Sequence, residues 1–175
     1  MNGIVTYKSK TGFTKQYKRI KVVIKCNEKL GEECMKVTYF DFLSEDVKKI
    51  RQAVFMDEQG FQNEFDDTDE IATHIVMYDQ DGAPIATCRV FAGEEKDSYI
   101  LGRLAVIKQY RGKHLGAKMV DEAEKIVIAK SGKNLCLHAQ CRVEDFYAKA
   151  GFVAYGQADE EEGCPHIWMK KQLCE

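Results

Sequence analysis

The apolar run Tyr99-Ile100-Leu101-Gly102-Arg103-Leu104-Ala105-Val106 reads as a strand, and it leads through Lys108-Gln109-Tyr110 into the turn 111–117. From Leu115 the period changes: Leu115, Met119, Ala123, Ile126 and Val127 fall three or four apart, which is one face of a helix. That helix is predicted to stop at Lys130-Ser131-Gly132, with glycine just past its last turn. Around this strand, turn and helix, the pattern predicts further strands over 36–40, 74–78, 85–91, 134–140, 152–155 and 166–170. Along 134–140, Leu135, Leu137 and Ala139 share one face while Cys136, His138 and Gln140 share the other. The two helix-flanked strands, 99–106 and 134–140, are the expected parallel pair.

Helices are predicted where capping and period agree. Ser44 caps one whose buried stripe is Val47, Ile50, Val54 and Phe55, with Glu45 and Asp46 at the positive end of its dipole. Val143, Phe146, Tyr147 and Ala150 mark a second, short one closed by Gly151. Asp79-Gln80-Asp81-Gly82-Ala83-Pro84 makes a hairpin of strands 74–78 and 85–91. The charged run 57–70 is expected to be a solvated loop, with Phe61 and Phe65 folding back onto something apolar. Asp159-Glu160-Glu161-Glu162-Gly163 is expected to be the loop joining the last two strands.

Composition narrows the class. With 175 residues the chain suits one main domain, and a net charge of -2 gives no reason to expect a nucleic-acid partner. There is no apolar run of membrane-spanning length and no signal core near the N-terminus, so a cytoplasmic location is expected. Seven cysteines, an odd number without a Cys-x-x-Cys pair, argue against a metal site or a disulfide framework and suit reduced thiols. Cys88 and Cys136 lie within apolar strands and are expected in the core.

The turn carries the first candidate chemistry. A helix start offers unpaired N–H groups and the positive end of the dipole, which hold phosphate. Gly112 and Gly116 allow close backbone approach, while Arg111, Lys113 and Lys118 add charge. A phosphorylated cofactor is the expected ligand.

Strand, Arg111-Gly112-Lys113-His114-Leu115-Gly116 turn, helix, strand and then Asp145-Phe146-Tyr147-Ala148-Lys149-Ala150-Gly151-Phe152 resembles the GNAT superfamily of N-acyltransferases over residues 35–173. Val54-Phe55-Met56-Asp57-Glu58-Gln59, Gly102-Arg103-Leu104-Ala105-Val106, Ala139-Gln140 and Pro165-His166 resemble its ElaA-like branch. The resemblance implies an α+β fold: a mixed, mostly antiparallel sheet, splayed at a parallel strand pair and flanked by helices. It implies acetyl-CoA as cofactor. Strand residues Leu104, Ala105 and Val106 would hold the pantetheine arm, with backbone groups of Leu104 and Val106 as the contacts. N–H groups of Arg111, Gly112, Lys113, His114, Leu115, Gly116 and Ala117 would cradle the pyrophosphate, and Gln140 joins the cofactor set. His114 stands where the family has a glycine, which leads us to expect ordinary helical backbone angles there and a side chain turned away.

Tyr147 matches the family's proton donor to the departing thiolate, and a phenol within reach can do that chemistry. For the base, His166 is the first choice; His74, His138, Glu58 and Asp69 stay open, with Glu58, Asp69 and His74 placed on the acceptor side. Arg89 and Arg103 are expected to be structural or acyl-pocket residues, with the structural role favoured. The expected reaction is direct acetyl transfer to a primary amine of a small molecule or peptide; a homodimer is compatible with it. A non-catalytic acyl-CoA-binding module is the alternative from another class. Residues 1–34 form an extension whose strand 3–7 and hydroxyl-rich turn 8–15 resemble the start of a flavodoxin-like domain, so an FMN-linked redox role through Thr11-Gly12-Phe13-Thr14 is a further alternative. Residues 21–25 would add a strand before a turn at Gly31. The main domain is expected over 35–175.

Overall fold

The computed structural model describes residues 35–173 and, before them, the backbone of two strands, β1 (Ile4–Lys8) and β2 (Thr14–Lys18). β1 and β2 pair antiparallel as a separate two-stranded sheet. Residues 9–13 and 19–34 lie outside the described residues, and with them the hydroxyl-rich loop tip and the strand expected at 21–25.

Seven strands make the main sheet: β3 (Lys36–Phe40), β4 (Thr73–Tyr78), β5 (Pro84–Ala92), β6 (Ser98–Val106), β7 (Asn134–Gln140), β8 (Val153–Glu161) and β9 (Cys164–Gln172). Their order is β3-β4-β5-β6-β7-β9-β8, and every neighbour is antiparallel except β6 and β7. Those two pair parallel only from Ser98–Asn134 to Leu101–Leu137, although both strands run on. Beyond Leu101 the sheet splays. A bulge in β6 accompanies the opening: Thr87 faces Ala105 and Arg89 faces Gly102, leaving Arg103 and Leu104 opposite the single residue Cys88. Arg103 takes φ 53° there, and an extra residue of this kind bends and twists a strand away from its neighbour.

Helices cover both faces. Helix α1 (Glu45–Arg51) starts at Ser44, whose Oγ accepts from the Val47 N–H at 3.3 Å. It buries Val47, Ile50 and the following Val54 against Phe40, Val76, Tyr78 and Ala105. Helix α2 (Leu115–Ala129) lays Leu115, Met119, Val120, Ala123 and Val127 on Ile75, Cys88, Leu101, Leu135 and Leu137 of the other face. Each such fully buried aliphatic side chain is worth about 1.5–3 kcal/mol, so the apolar stripes hold the layers together. Past the Lys130 cap of α2 it is Ser131 that takes the left-handed φ of 59°; Gly132 serves packing instead, since a Cβ there would lie 2.5 Å from Cγ1 of Val127.

Three features depart from the sequence pattern. After α1 the chain widens into a π-helical stretch, Gln52–Glu58, in which Gln52 Nε2 donates to Asp57 five residues on at 2.9 Å. Loop 57–70 is solvated only in part: most of its residues are exposed, but Glu64 and Asp69 are buried around fully buried Arg51, at 2.6 Å each. Arg89 bonds Asp66 and Asp69 at 2.7 Å, and Arg103 reaches Glu64 at 3.1 Å, so three guanidiniums meet three carboxylates. Phe65 meets this cluster through the Arg51 guanidinium, 4.9 Å from its ring centre. Finally, Asp159, Glu160 and Glu161 belong to β8; the turn is only Glu162-Gly163, both at positive φ, as a two-residue hairpin turn requires. Strand alternation then places the acids of β8 beside residues of β9.

Candidate active site

The splay between β6 and β7 opens a cavity of about 1250 Å³. Its β6 wall is a free strand edge. Because the Ile107 N–H bonds the Ile85 carbonyl at 2.9 Å, alternation turns the backbone groups of Val106 and Leu104 away from β5 and into the cavity. Ala105 is the exception among the expected trio: it pairs with Thr87 on β5, and its side chain is buried in the α1 layer. Of the Val106 groups, the carbonyl accepts from Arg111 Nε at 3.0 Å.

At one end of the cavity lies the turn before α2. Leu115, Gly116 and Ala117 are its first helical residues, and the first bond within the helix runs from Lys118 N–H to the His114 carbonyl at 3.2 Å. The preceding N–H groups therefore stand unpaired by the helix, the condition for holding an anion. Gly112 takes φ 79°. His114 does not use helical angles, contrary to the expectation: φ 57° and ψ 19° put it in the left-handed region at the N-cap. The loop requires that conformation whichever residue stands there, and histidine is among the non-glycine residues enriched in it. Gly116 lines the cavity and also makes room for a neighbour. A Cβ there would sit 3.1 Å from Cζ of Phe146, so its small size seats the helix that carries Tyr147.

Charge at this turn is also arranged differently. Arg111 makes a two-pronged pair with Glu58, 2.7 Å for each prong, besides its bond to Val106. Hydrogen bonding to Arg111 holds the Glu58 carboxyl below its usual range, and Arg111 is raised in turn. Glu58 lines the cavity as an anchor of the loop, which rules against the base role considered for it. Lys113 stacks its ammonium 5.6 Å from the Tyr110 ring, whose hydroxyl donates to Asp79 at 2.7 Å and ties the turn to the β4–β5 hairpin.

Short helix α3 (Glu144–Lys149) carries Tyr147 onto the cavity wall. Its ring packs edge-on against Phe146 and Phe152, and the hydroxyl makes no hydrogen bond among the described residues. Burial pushes its pKa well above the ordinary phenol value, so Tyr147 is fully protonated at neutral pH. On β9, His166 is 6% exposed and its ring lines the cavity. His166 Nδ1 lies 2.7 Å from the Cys164 carbonyl oxygen, which can only accept, so in the neutral ring Nδ1 carries the proton and Nε2 the lone pair. Tilted against it at 4.9 Å is the ring of His138, itself stacked on Trp168 at 4.8 Å. His138 contacts Asp159 at 2.9 Å and Glu161 at 3.5 Å.

Gln140 lines the cavity but is engaged: its Nε2 donates to Gln59 at 3.1 Å, and Arg142 bonds both glutamines at 2.8 Å. His74 and Asp69 are not site residues. His74 is fully buried with Nε2 donating to the Asp69 carbonyl at 3.0 Å, and Asp69 is spent on Arg51 and Arg89; neither lines the cavity. Trp168, Glu161 and Glu162 line it and were missed, because the acids had been assigned to a loop. The alternation Cys164, His166, Trp168, extended across the hairpin, was the signal that could have found them.

This fold is shared with solved structures that include an acyl-CoA N-acyltransferase. The crystal structure of an acyl-CoA N-acyltransferase from Pseudomonas aeruginosa is 25% identical with a TM-score of 0.64, covering 70% of this chain and 85% of that one. Escherichia coli ElaA shares the fold at a TM-score of 0.69 over 79% of this chain and 99% of its own. In sequence, ElaA is 27% identical over 71% of this chain and 84% of its length, and YyaT of Bacillus subtilis is 33% identical over 71% and 86%. Residues 41–173 match the acetyltransferase (GNAT) domain family, and the chain belongs to it. It is an acyltransferase with a CoA-linked substrate. Among the described residues, no helix is long and apolar enough to cross a membrane.

Proposed function

We propose that the protein transfers an acetyl group from acetyl-CoA directly to a primary amine. The observation that carries this reading is the meeting of two complementary groups on one cavity: a protonated Tyr147 hydroxyl without a protein partner among the described residues, and a His166 ring whose Nε2 holds a lone pair. The N–H groups of Leu115, Gly116 and Ala117, unpaired among the described residues, suit a pyrophosphate, and the Leu104 and Val106 edge suits an amide-bearing arm.

Acetyl-CoA supplies the acyl group as a thioester. His166 Nε2 takes the proton that the amine must lose to attack, and the Nδ1 bond to Cys164 stabilises the imidazolium so formed. Tyr147 gives its proton to the departing sulfur and is reprotonated by the second proton that the nitrogen sheds as the amide forms, while His166 releases the first to solvent. Glu58 and Arg111 fix the turn in place, and Arg51, Arg89 and Arg103 fix the cavity wall through their carboxylate partners. We read residues 1–34 as an extension ahead of this 35–175 domain, and a reducing cytoplasm suits its free thiols.

Thiol release from acetyl-CoA, measured against a panel of small amines and peptide N-termini, tests the reading. Amine-dependent release supports it. Binding of acetyl-CoA without release in any amine would instead mark a non-catalytic acyl-CoA-binding module.

A further inference from the structure

The end of the cavity beyond His166 is shaped by the tip of the β8–β9 hairpin. Glu162 accepts from the Gln62 N–H at 3.0 Å and from Asn63 Nδ2 at 3.1 Å, fastening the tip to the segment after the π-helical stretch. Both Asn63 and Glu162 line the cavity, so this clasp forms part of its wall.

Of the guanidiniums on the wall, Arg103 is shared between Glu64 at 3.1 Å and Asp66 at 3.5 Å, Arg89 is taken by Asp66 and Asp69, and Arg142 bonds Gln59 and Gln140. Glu162 spends its oxygens on amide donors. Among the described residues the Glu161 side chain contacts only His138 Nδ1, at 3.5 Å, and half of it is exposed. A second observation is independent of these acids. His166 is 6% exposed, its ring lies on the cavity wall, and its Nε2, without a partner among the described residues, is open to a donor from a ligand.

We propose that the acceptor is a small dication, an aliphatic diamine whose reacting nitrogen lies at His166 and whose second ammonium lies against Glu161. This rests on the amine-acetylation reading above. Glu161 pairs with Cys164 across the hairpin, and His166 follows two residues along β9 on the same face. As diagonal neighbours across the two strands, Glu161 and His166 lie roughly 7–8 Å apart. A short methylene chain bridges that gap, with the rings of His138 and Trp168 as its apolar floor. An acceptor carrying a carboxylate at its far end would meet Glu161 with like charge.

The test compares three acceptors that differ only at the far end: putrescine, pentylamine and 5-aminopentanoate, each assayed by thiol release from acetyl-CoA with the full chain. Putrescine should exceed pentylamine in kcat/KM by roughly ten- to a hundredfold, the range for one charge-assisted contact, with 5-aminopentanoate lowest. Glu161→Gln, checked for an unchanged Tm, should collapse the gap between putrescine and pentylamine. Pentylamine matching putrescine, or a gap that survives in Glu161→Gln, overturns the inference while leaving amine acetylation standing. No release with any amine overturns the reading beneath it.

Discussion

His166 Nδ1 lies 2.7 Å from the carbonyl oxygen of Cys164, two residues earlier on the same strand. That bond sets which nitrogen faces the cavity. His166→Asn keeps a donor near the Nδ1 position but has no basic nitrogen, so turnover at neutral pH should fall by about 10²–10⁴-fold. The deficit should shrink as pH rises, because the acceptor amine then sheds its proton to solvent unaided. Rates of both proteins from pH 6.5 to 9.5 check this; a deficit constant across that range would assign His166 to positioning rather than proton removal.

The turn before α2 makes a conformational prediction. A β-branched residue strongly resists the left-handed region that His114 occupies, so His114→Val should destabilise the fold by about 1–2 kcal/mol. His114→Gly should match or exceed the wild-type Tm and keep its affinity for acetyl-CoA. Thermal melts and calorimetry on the two variants decide it. Lost affinity in a folded His114→Gly would mean that the imidazole itself takes part in binding.

Stability should fall on acidification in two windows. Burial depresses the His74 pKa, so the folded protein keeps this ring neutral while the unfolded chain takes up a proton near pH 6.5. Its contribution is complete above that pH and is lost as pH falls below it. Asp66 follows the carboxylate pattern: burial raises its pKa, but the Arg89 and Arg103 charges outweigh this and bring it to about 2. Its contribution is therefore present above about pH 4 and lost between there and pH 2. Asp69 shifts down in the same sense, whereas burial raises Glu64 and works against them. His74→Gln, which keeps a donor toward the Asp69 carbonyl without titrating, should flatten the Tm decline between pH 7 and 5 and leave the lower window in place.

Much of the fold was legible because its strands bury one face and its helices one stripe. Alternation from Asn134 to Gln140 and the stripe from Leu115 to Val127 mark the parallel pair and the helix between its strands. Ser44 marks a helix start on chemistry alone. What escaped depends on partners distant in sequence. Glu64 and Asp69 sit in a charge run that looks solvated until Arg51 and Arg89 arrive from other elements to neutralise them. Asp159 and Glu161 hid a strand because acids on an exposed edge look like a loop. His114 took left-handed angles because the loop path, not the residue type, decides the backbone there. At the site, Tyr147 and His166 both reach the cavity, while His74 and Asp69 do not: a histidine or carboxylate shows its chemistry in sequence but not whether it faces a cavity or a buried arginine.

The central claim is that one cavity moves two protons, and Tyr147 tests it most directly. Its hydroxyl is held protonated on a wall where no described residue bonds it, so Tyr147→Phe removes a donor and little packing. The decisive measurement is the turnover of Tyr147→Phe at saturating acetyl-CoA with the best amine found, where any change in cofactor affinity drops out. We predict a loss of about 10²–10⁴-fold, toward the lower figure because a thiolate leaves readily. Turnover equal to the wild type would contradict the account and remove Tyr147 from the chemistry.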